Sequence, residues 1–388
     1  MELLADRRIF GTPWPEVNKG VSYVDLVTAR DESKTVLEYY CSRYKKSASR
    51  EGWIQRISND QVRVDGLVIS SAELILRMGS RLEYQRVPWK EPAAPYLLQI
   101  LYEDQHVLAL NKPSGLQVLA GGLFQQRTVL QQLQWRDEYN TSYGRSDSSN
   151  FQAHTWPTSP VHRLGRGTSG VLLCAKSPRA KSLLAADLAA STESTTGRSV
   201  GGASPKSDDK QRRFSKTYRA LAKGVIAADE ITVDHAIGKV PYPGVAGGLY
   251  MASPTGKPSL SKVVVLWRDE VNNCTLVQVN ILTGRPHQIR IHLAAAGHPL
   301  IGDPLYVEGG IVQETDHSDR LQHEGSPEED GGYQRIEGAL PGDCGYLLHA
   351  WRLEFYHPIS HEVMVVVVAP PPPALRMPGE EGDGNFLC

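Results

Sequence analysis

The sequence lacks a long apolar run and has few cysteines. None of its apolar stretches approaches the ~18 residues that a membrane-spanning helix needs. Its five cysteines are scattered, with no paired spacing that would predict a zinc site or a disulfide framework. The first 20 residues contain three acids and no apolar core, which argues against a secretory signal or a transit peptide. These absences predict an intracellular chain without a membrane anchor, with cytoplasm or nucleus favoured and an organelle still open.

Net charge is also nearly absent, at −1, but the charges are unevenly distributed. Residues 41–90 contain ten Lys or Arg and five acids, and residues 161–181 contain five Lys or Arg and no acid. Residues 307–343 have the opposite balance, with ten acids and two arginines. This layout is compatible with a basic face for nucleic acid, with the acid concentrated elsewhere. Scattered solvated charge is the alternative interpretation.

A compact module is predicted over residues 35–88, after an N-terminal extension over residues 1–34. Thr35 and Glu38 have the spacing of a helix capping box, and apolar residues follow at helical intervals. Polar and apolar residues then alternate over 61–66 and 82–87, as strands of a hairpin would. Three prolines between 88 and 95 indicate a linker.

A larger α+β domain is predicted over residues 97–370. Short apolar strands are separated by helical segments at irregular intervals, which is unlike a regular βαβ repeat. Three insertions have too little apolar content to offset the entropy of ordering, so we expect them to be disordered. These insertions are residues 139–159, 191–209 and 307–343, and a proline-rich and acidic tail, expected to be extended, follows over 371–388.

Four separated segments of this domain form a recognisable series. Residues 103–116 contain a strand pattern ending in Lys112-Pro113, and residues 162–170 read His-Arg-Leu-Gly-Arg-Gly-Thr-Ser-Gly. Residues 214–221 contain Lys216-Thr217-Tyr218, and residues 282–292 read Leu-Thr-Gly-Arg-Pro-His-Gln-Ile-Arg-Ile-His. In this order, the four segments resemble the RNA pseudouridine synthases, in the branch that includes the large-subunit ribosomal RNA enzymes.

The resemblance implies a fold, a reaction and a set of roles. The fold would be a mixed, mainly antiparallel sheet with flanking helices, and the reaction would isomerise uridine to pseudouridine in structured RNA by base flipping. Arg163 would fill the space that the flipped nucleotide leaves, Tyr218 would pack against the uracil, and Arg290 would pair with the catalytic aspartate. No metal or cofactor is implied. We expect a monomer whose partner is ribosomal or transfer RNA.

One residue departs from the family pattern. The fourth position of the His162 segment is the nucleophilic aspartate in the family, and here it is Gly165. Without that aspartate, Arg290 would be an uncompensated buried charge, which is costly, so we expect a substitute anion. The candidates near the motifs are Asp104 and Asp303, although the Gly302-Asp303-Pro304 turn suggests a structural role for Asp303.

Residues 35–88 resemble the small α+β RNA-binding module named after the fourth small-subunit ribosomal protein. By this resemblance, phosphate contacts would come from Arg43, Lys45, Lys46, Arg50 and Arg56. Such contacts supply affinity and register more than sequence choice.

Three hypotheses follow from the sequence. The chain is an active pseudouridine synthase with a displaced carboxylate, a catalytically impaired RNA-binding protein of the same fold, or a protein scaffold that uses the acidic insertion. The otherwise intact Tyr218 and Arg290 segments favour the enzyme. His287 and His292 are interpreted as structural, because a spacing of five does not place them on one helix face and no acid or cysteine joins them.

Overall fold

The computed structural model describes most of the chain, and the larger parts of the three predicted insertions lie outside the described residues. No helix in the described part is long and apolar enough to span a membrane. The described residues are 8–44, 47–142, 156–196, 213–242, 245–312, 344–361 and 363–380.

The chain forms five helices and nineteen strands within the described residues. The helices are α1 (Val36–Arg43), α2 (Arg50–Ser58), α3 (Val129–Ser142), α4 (Pro178–Thr196) and α5 (Gln288–Ala295). The strands are β1 (Ile9–Phe10), β2 (Val21–Leu26), β3 (Val62–Val64), β4 (Leu67–Val68), β5 (Arg81–Arg86), β6 (Leu98–Glu103), β7 (Val107–Lys112), β8 (Ser159–Pro160), β9 (Ser169–Ala175), β10 (Phe214–Lys223), β11 (Glu230–Val233), β12 (Ile237–Tyr242), β13 (Val245–Ala252), β14 (Ser261–Asp269), β15 (Cys274–Ile281), β16 (Tyr306–Val307), β17 (Ile311–Val312), β18 (Leu348–Tyr356) and β19 (Met364–Val368).

The small module is a four-stranded sheet, in the order β2-β5-β3-β4, packed with α1 and α2. The predicted capping box is confirmed: the Thr35 hydroxyl accepts from the Glu38 amide, and the Glu38 carboxylate accepts from the Thr35 amide. The core of the module contains several aromatic rings, and Tyr40 stacks on Trp53 at 4.4 Å between centroids. The two helices therefore fold onto one face of the sheet by burying their aromatic sides.

The larger domain is built on an eleven-stranded sheet, so the predicted α+β class with a mixed, mainly antiparallel sheet is confirmed. Nine strands run in the order β1-β6-β7-β9-β18-β10-β15-β14-β11, with β19 paired to β18 and β8 paired to β9. The β9–β18 pair is parallel and all other pairs in this sheet are antiparallel.

The centre of this sheet is buried on both faces. Leu108 and Leu110 of β7 pack into one apolar cluster, whereas Val107 and Ala109 pack into another. Successive side chains of a strand point to opposite faces, so the continuous apolar run of β7 supplies both clusters at once. Helix α4 contacts β9 and β10, and α5 contacts β13 and the small β16–β17 hairpin.

Two expectations for the chain ends are corrected. The described part of the predicted extension, residues 8–34, is not separate, because β1 pairs with β6 of the large sheet and β2 pairs along its whole length with β5 of the module. The start of the tail is not exposed either: Leu375 is buried, and Glu380 forms an ion pair with Arg219 of β10. In both cases the pairing partner is distant in sequence, so local composition did not indicate it.

The edges of the predicted insertions are also more regular than expected. Residues 139–142 continue α3, residues 191–196 continue α4, and residues 311–312 form β17. Thr158 is buried, where its amide and hydroxyl both donate to the Asp137 carboxylate. Ordered structure therefore extends into the ends of segments whose composition predicted none.

Candidate active site

The Gly165 segment forms a loop, residues 162–168, between β8 and β9. The buried Lys112 ammonium donates to the carbonyls of Pro113, Leu116 and Arg166, at 2.8, 2.7 and 3.1 Å. The Ser114 hydroxyl donates to the Gly167 carbonyl at 2.7 Å. The Lys-Pro turn thus holds the 162–168 loop by hydrogen bonds to its backbone.

The loop is also fixed at both of its ends. At the start, the His162 Nε2 accepts from the Leu173 amide at 3.1 Å, and burial lowers the pKa of His162 to about 3. At the end, Gly170 has a φ of +104°, and a Cβ built there would lie 2.2 Å from the Ala350 carbonyl oxygen. Glycine is required at position 170 because the β9 and β18 backbones approach too closely for a side chain.

Arg290 lies on α5 and is paired with Asp303. Its Nε and Nη2 donate to the two oxygens of Asp303, both at 2.7 Å, and the side chains are only 2% and 1% exposed. Burial by itself would lower the pKa of Arg290, but the ion pair with Asp303 raises it above its ordinary value. The guanidinium is therefore charged and compensated, in the bidentate geometry typical of strong Arg–carboxylate pairs.

The expected substitute anion is thus Asp303 and not Asp104. The Asp303 carboxylate also accepts from the amides of Leu305 and Tyr306, so it holds the turn and the ion pair together. Asp104 lies elsewhere, accepting from the Tyr102 hydroxyl at 2.6 Å and from the His106 and Val107 amides. The sequence named Asp303 as a candidate anion but favoured a structural role in the turn, and the structure gives it both roles.

Two aromatic rings cover the Arg290 guanidinium. Its Cζ lies 4.2 Å from the centroid of Tyr346 and 4.9 Å from that of Tyr306. Arg290 Nη1 is buried and has no hydrogen-bond partner among the described residues. The Tyr346 hydroxyl is 3.2 Å from the Thr168 hydroxyl, which links the Arg290 cluster to the end of the 162–168 loop.

Gly165 lies at the exposed side of this cluster. An ideal Cβ built on Gly165 would be 2.7 Å from the Tyr346 hydroxyl oxygen and 3.3 Å from Thr168 Oγ1. The backbone of Gly165 is outside the positive-φ region, so its conformation does not itself require glycine. The space for a side chain at 165 is instead taken by the Tyr346 hydroxyl.

Tyr218 and Arg163 are the other two residues to which the resemblance assigned a role in this domain. Tyr218 is in β10, 8% exposed, and belongs to the apolar cluster that contains Leu164 and Tyr346. Burial raises the pKa of Tyr218 to about 12, so its hydroxyl is neutral at physiological pH. Arg163 is exposed next to the loop residue Leu164, which is buried.

The two histidines of the Arg290 segment have structural partners. His287 Nδ1 is 2.7 Å from the Tyr306 hydroxyl, while His292 contacts the Ser261 hydroxyl and the His235 carbonyl, both at 2.9 Å. The carbonyl can only accept, so His292 Nε2 carries the proton in its neutral form. No cluster of three or more potential metal ligands occurs among the described residues.

Buried histidines make the stability of the fold depend on pH. Burial lowers the pKa of His292 and of His349 from 6.5 to about 4. Between pH 6.5 and 4 the unfolded chain therefore binds protons that the folded chain does not, and the free energy of unfolding should fall as the pH is lowered. The slope contributed by each histidine is at most about 1.4 kcal/mol per pH unit.

Urea denaturation of the parent and of His292→Gln at pH 7 and pH 5 measures this dependence. We expect the difference between the two pH values to be smaller in His292→Gln than in the parent. Val271→Ala, which changes a 93% exposed side chain that does not titrate, should leave the difference unchanged. An unchanged difference in His292→Gln would contradict the assignment.

The predicted RNA-binding residues of the module fall into three groups. Arg43 and Arg50 are exposed, at the end of α1 and the start of α2. Lys45 and Lys46 lie outside the described residues. The expectation for Arg56 is corrected: it is 3% exposed, donates to the Ser47 hydroxyl and carbonyl, and packs on the Trp53 ring. Arg56 supports the module core and is not available to a phosphate.

Two aromatic residues that pack on Arg290, Tyr346 and Tyr306, were not identified from the sequence. Tyr346 lies shortly after the acidic insertion and belongs to none of the four segments, although its ring packs on Arg290 and its hydroxyl lies 2.7 Å from the Cβ position of Gly165. Tyr306 follows the Asp303 turn, and its hydroxyl donates to the Tyr250 carbonyl at 2.9 Å. Only the pairing of distant segments brings these two rings to Arg290.

Comparisons with known proteins show the family to which these segments belong. The model of the RNA pseudouridylate synthase family matches residues 106–295, which include the Gly165, Tyr218 and Arg290 segments. RNA pseudouridine synthase 5 of Arabidopsis thaliana is 52% identical over 367 residues, covering 94% of this chain and 96% of that protein. RNA pseudouridine synthase 5 of Oryza sativa subsp. japonica is 51% identical over 361 residues, covering 92% and 88%.

A bacterial relative has a name that specifies its substrate. The ribosomal large subunit pseudouridine synthase D of Pseudomonas aeruginosa is 31% identical over 258 residues, covering 66% of this chain and 67% of that protein. The similarity to the plant relatives extends the family match beyond residues 106–295 to most of the chain. The chain therefore belongs to the RNA pseudouridine synthases, a family of isomerases.

Proposed function

We propose that this chain isomerises uridine in structured ribosomal or transfer RNA, at the cleft formed by the 162–168 loop, Tyr218 and Arg290. The observation that carries the proposal is the compensated Arg290–Asp303 pair, which is buried against Tyr346, whose hydroxyl lies 2.7 Å from the Cβ position of the exposed Gly165. This pair supplies a fixed, desolvated electrostatic environment without the family aspartate. The name of the bacterial relative, which acts on the large ribosomal subunit, supports ribosomal RNA as the substrate class.

The reaction explains the residues that line this cleft. The target base must leave the RNA stack, at a cost of a few kcal/mol, before its bond to ribose can break. Tyr218, held in β10 with a neutral hydroxyl, packs against the flipped uracil. Arg163, exposed beside the loop, occupies the position that the base vacates. The buried side of the cleft excludes water, which protects the detached uracil while it turns.

The module provides the remaining affinity for RNA. Arg43 and Arg50 present positive charge at adjoining ends of α1 and α2, and we propose that they contact phosphates together with Lys45 and Lys46. Phosphate contacts release counterions, so binding through the module should weaken steeply as salt is raised.

The proposed function is tested by incubating the purified full chain with ribosomal and transfer RNA and scoring pseudouridine by mass spectrometry. We expect product from the parent, with Gly165 as it stands. In parallel, Gly165→Asp should form no more product than the parent, because its Cβ would collide with the Tyr346 hydroxyl, 2.7 Å away.

The second candidate function is RNA binding without catalysis. It is favoured by one observation, that the position of the family nucleophile has no side chain. Under this alternative, the parent would bind RNA but yield no pseudouridine at any enzyme concentration, and Gly165→Asp alone would form product. That pair of results would overturn the proposal that the parent is active.

A further inference from the structure

We propose that Lys216 binds a phosphate of the RNA backbone next to the target uridine. This inference rests on the proposed function, since it adds a substrate contact beside the cleft described above. Its basis is that Lys216 lines a pocket, shares a strand with Tyr218, and has no anionic partner among the described residues.

Lys216 is close to the residues of the cleft. It precedes Tyr218 by two residues in β10, so both side chains point to the same face of the strand, about 7 Å apart along it. Lys216 also lies near the start of the 162–168 loop, because its positive charge adds to the larger effect of burial in lowering the pKa of His162. A nucleotide that packs its base against Tyr218 therefore brings its backbone near Lys216.

The pocket at Lys216 lies between α4, β10 and the turn that follows β15. It contains about 320 Å³ of space, part of which is open to solvent, and Lys216 alone is charged among the described residues that line it. Most of the other walls are apolar. The turn belongs to residues 282–292, so the pocket joins the segment of Tyr218 to the segment of Arg290. The remaining lining residues are Leu188, Ser191, Phe214, Ile281, Leu282, Thr283 and Gly284.

The charge of Lys216 is not compensated within the described part of the chain. Its ammonium lies 5.6 Å from the centroid of the Phe214 ring and forms no hydrogen bond or ion pair with a described residue. Burial lowers the pKa of Lys216 to about 8, so the ammonium predominates at neutral pH but is less stable than it would be in water. Arg290 differs, because Asp303 pairs with it. An anion bound at Lys216 would provide the missing compensation.

A phosphate suits this site better than any other part of RNA. The apolar walls exclude water from part of the ammonium surroundings, which strengthens its attraction to a full negative charge. Lysine binds phosphate as a point charge and needs no fixed orientation of the two groups. A contact with an uncharged base would leave the charge of Lys216 uncompensated. The phosphate contact would hold the ribose in place while the uracil is detached from it.

The test is Lys216→Met, which keeps an apolar chain in the pocket and removes the charge. The probe is a fluorescent RNA hairpin whose loop contains uridine. We expect its Kd at low salt to rise about tenfold, as for loss of one charge-assisted hydrogen bond. The slope of log affinity against log salt concentration should become shallower by about one, the change for one phosphate contact.

Two further variants serve as controls for charge and for position. Lys216→Arg keeps a positive charge in the pocket and should keep the parental salt slope. Lys223→Met removes an exposed lysine from the other end of β10 and should change neither the Kd nor the slope. If the parent forms product, Lys216→Met should raise KM for RNA at nearly unchanged kcat, because the contact is present before and during the reaction.

Three results would overturn the role of Lys216. A parental Kd and slope in Lys216→Met would show that it does not contact RNA, and a raised Kd with the parental slope would show contact with an uncharged group. A lower urea midpoint would assign it to the fold, whereas removal of an unpaired, partly buried charge should not lower the midpoint. Binding and urea measurements need no turnover, so they decide this role even if the parent forms no product, a result that would overturn the proposed function alone.

Discussion

Replacement of Asp303 with asparagine is expected to lower the free energy of unfolding by about 3–5 kcal/mol, the range for breaking a buried ion pair. The substitution conserves volume but leaves the Arg290 charge uncompensated at 2% exposure, and it weakens two bonds of 2.7 Å. Urea denaturation at neutral pH measures the change. The loss should appear as a lower midpoint with the same slope, if the folded state is otherwise retained.

A matched control exists on the surface of the same domain. Asp229 pairs with Arg268 at the same 2.7 Å, but the Asp229 side chain is 88% exposed. Asp229→Asn should therefore change the free energy of unfolding by no more than about 1 kcal/mol. Equal effects at Asp303 and Asp229 would contradict the conclusion that burial makes the Arg290 pair structurally essential.

The second large effect is expected at Lys112. Replacement with methionine keeps most of the buried chain but removes an ammonium that donates to three carbonyls. Leaving a buried acceptor unpaired costs about 1–3 kcal/mol, and the Arg166 carbonyl still accepts from the Gly115 amide, so after a partial offset from removal of a buried charge we expect a net loss of about 3 kcal/mol. Because one of those carbonyls belongs to Arg166, pseudouridine formation should fall as the 162–168 loop loses its anchor.

In Lys112→Met, the effect on global stability can be measured separately from the effect on the 162–168 loop. Lys262→Met, an exposed lysine of β14, is the control and should change neither stability nor product formation. Hydrogen exchange of amides in the 162–168 loop should rise in Lys112→Met before global unfolding does. A loop with parental exchange rates in Lys112→Met would show that Ser114 and the loop ends suffice to hold it.

Local patterns predicted the elements that are regular over a short stretch. The Thr35–Glu38 spacing predicted the start of α1, and the apolar run before Lys112 predicted β7. Both depend on neighbours in sequence, through capping hydrogen bonds and side-chain alternation. The alternation over 61–66 and 82–87 likewise predicted strands, observed as β3 and β5.

The central strand β18 was not predicted, although it joins β9 to β10. Its sequence interrupts apolar residues with His349, Arg352 and Glu354, which resembles neither a buried run nor a clean alternation. Arg352 and Glu354 form an ion pair with each other, whereas His349 has partners from distant segments: its Nδ1 is 2.8 Å from the Ser169 hydroxyl, and its Nε2 is 3.2 Å from the Ala369 carbonyl. Such partners are set by the sheet and cannot be read from the strand alone.

The sequence by itself determined the family, the fold class and the question posed by Gly165, because motif residues and local periodicity are properties of short segments. The tertiary structure alone determined which anion compensates Arg290 and which group occupies the space at position 165. Asp303 compensates Arg290, and Tyr346 fills the space at position 165, because the folding of α5, the Asp303 turn and the start of β18 brings together groups separated by up to 181 residues in the chain. Distances between side chains decide which charges are compensated and which group occupies the space at position 165, and a linear pattern contains no such distances.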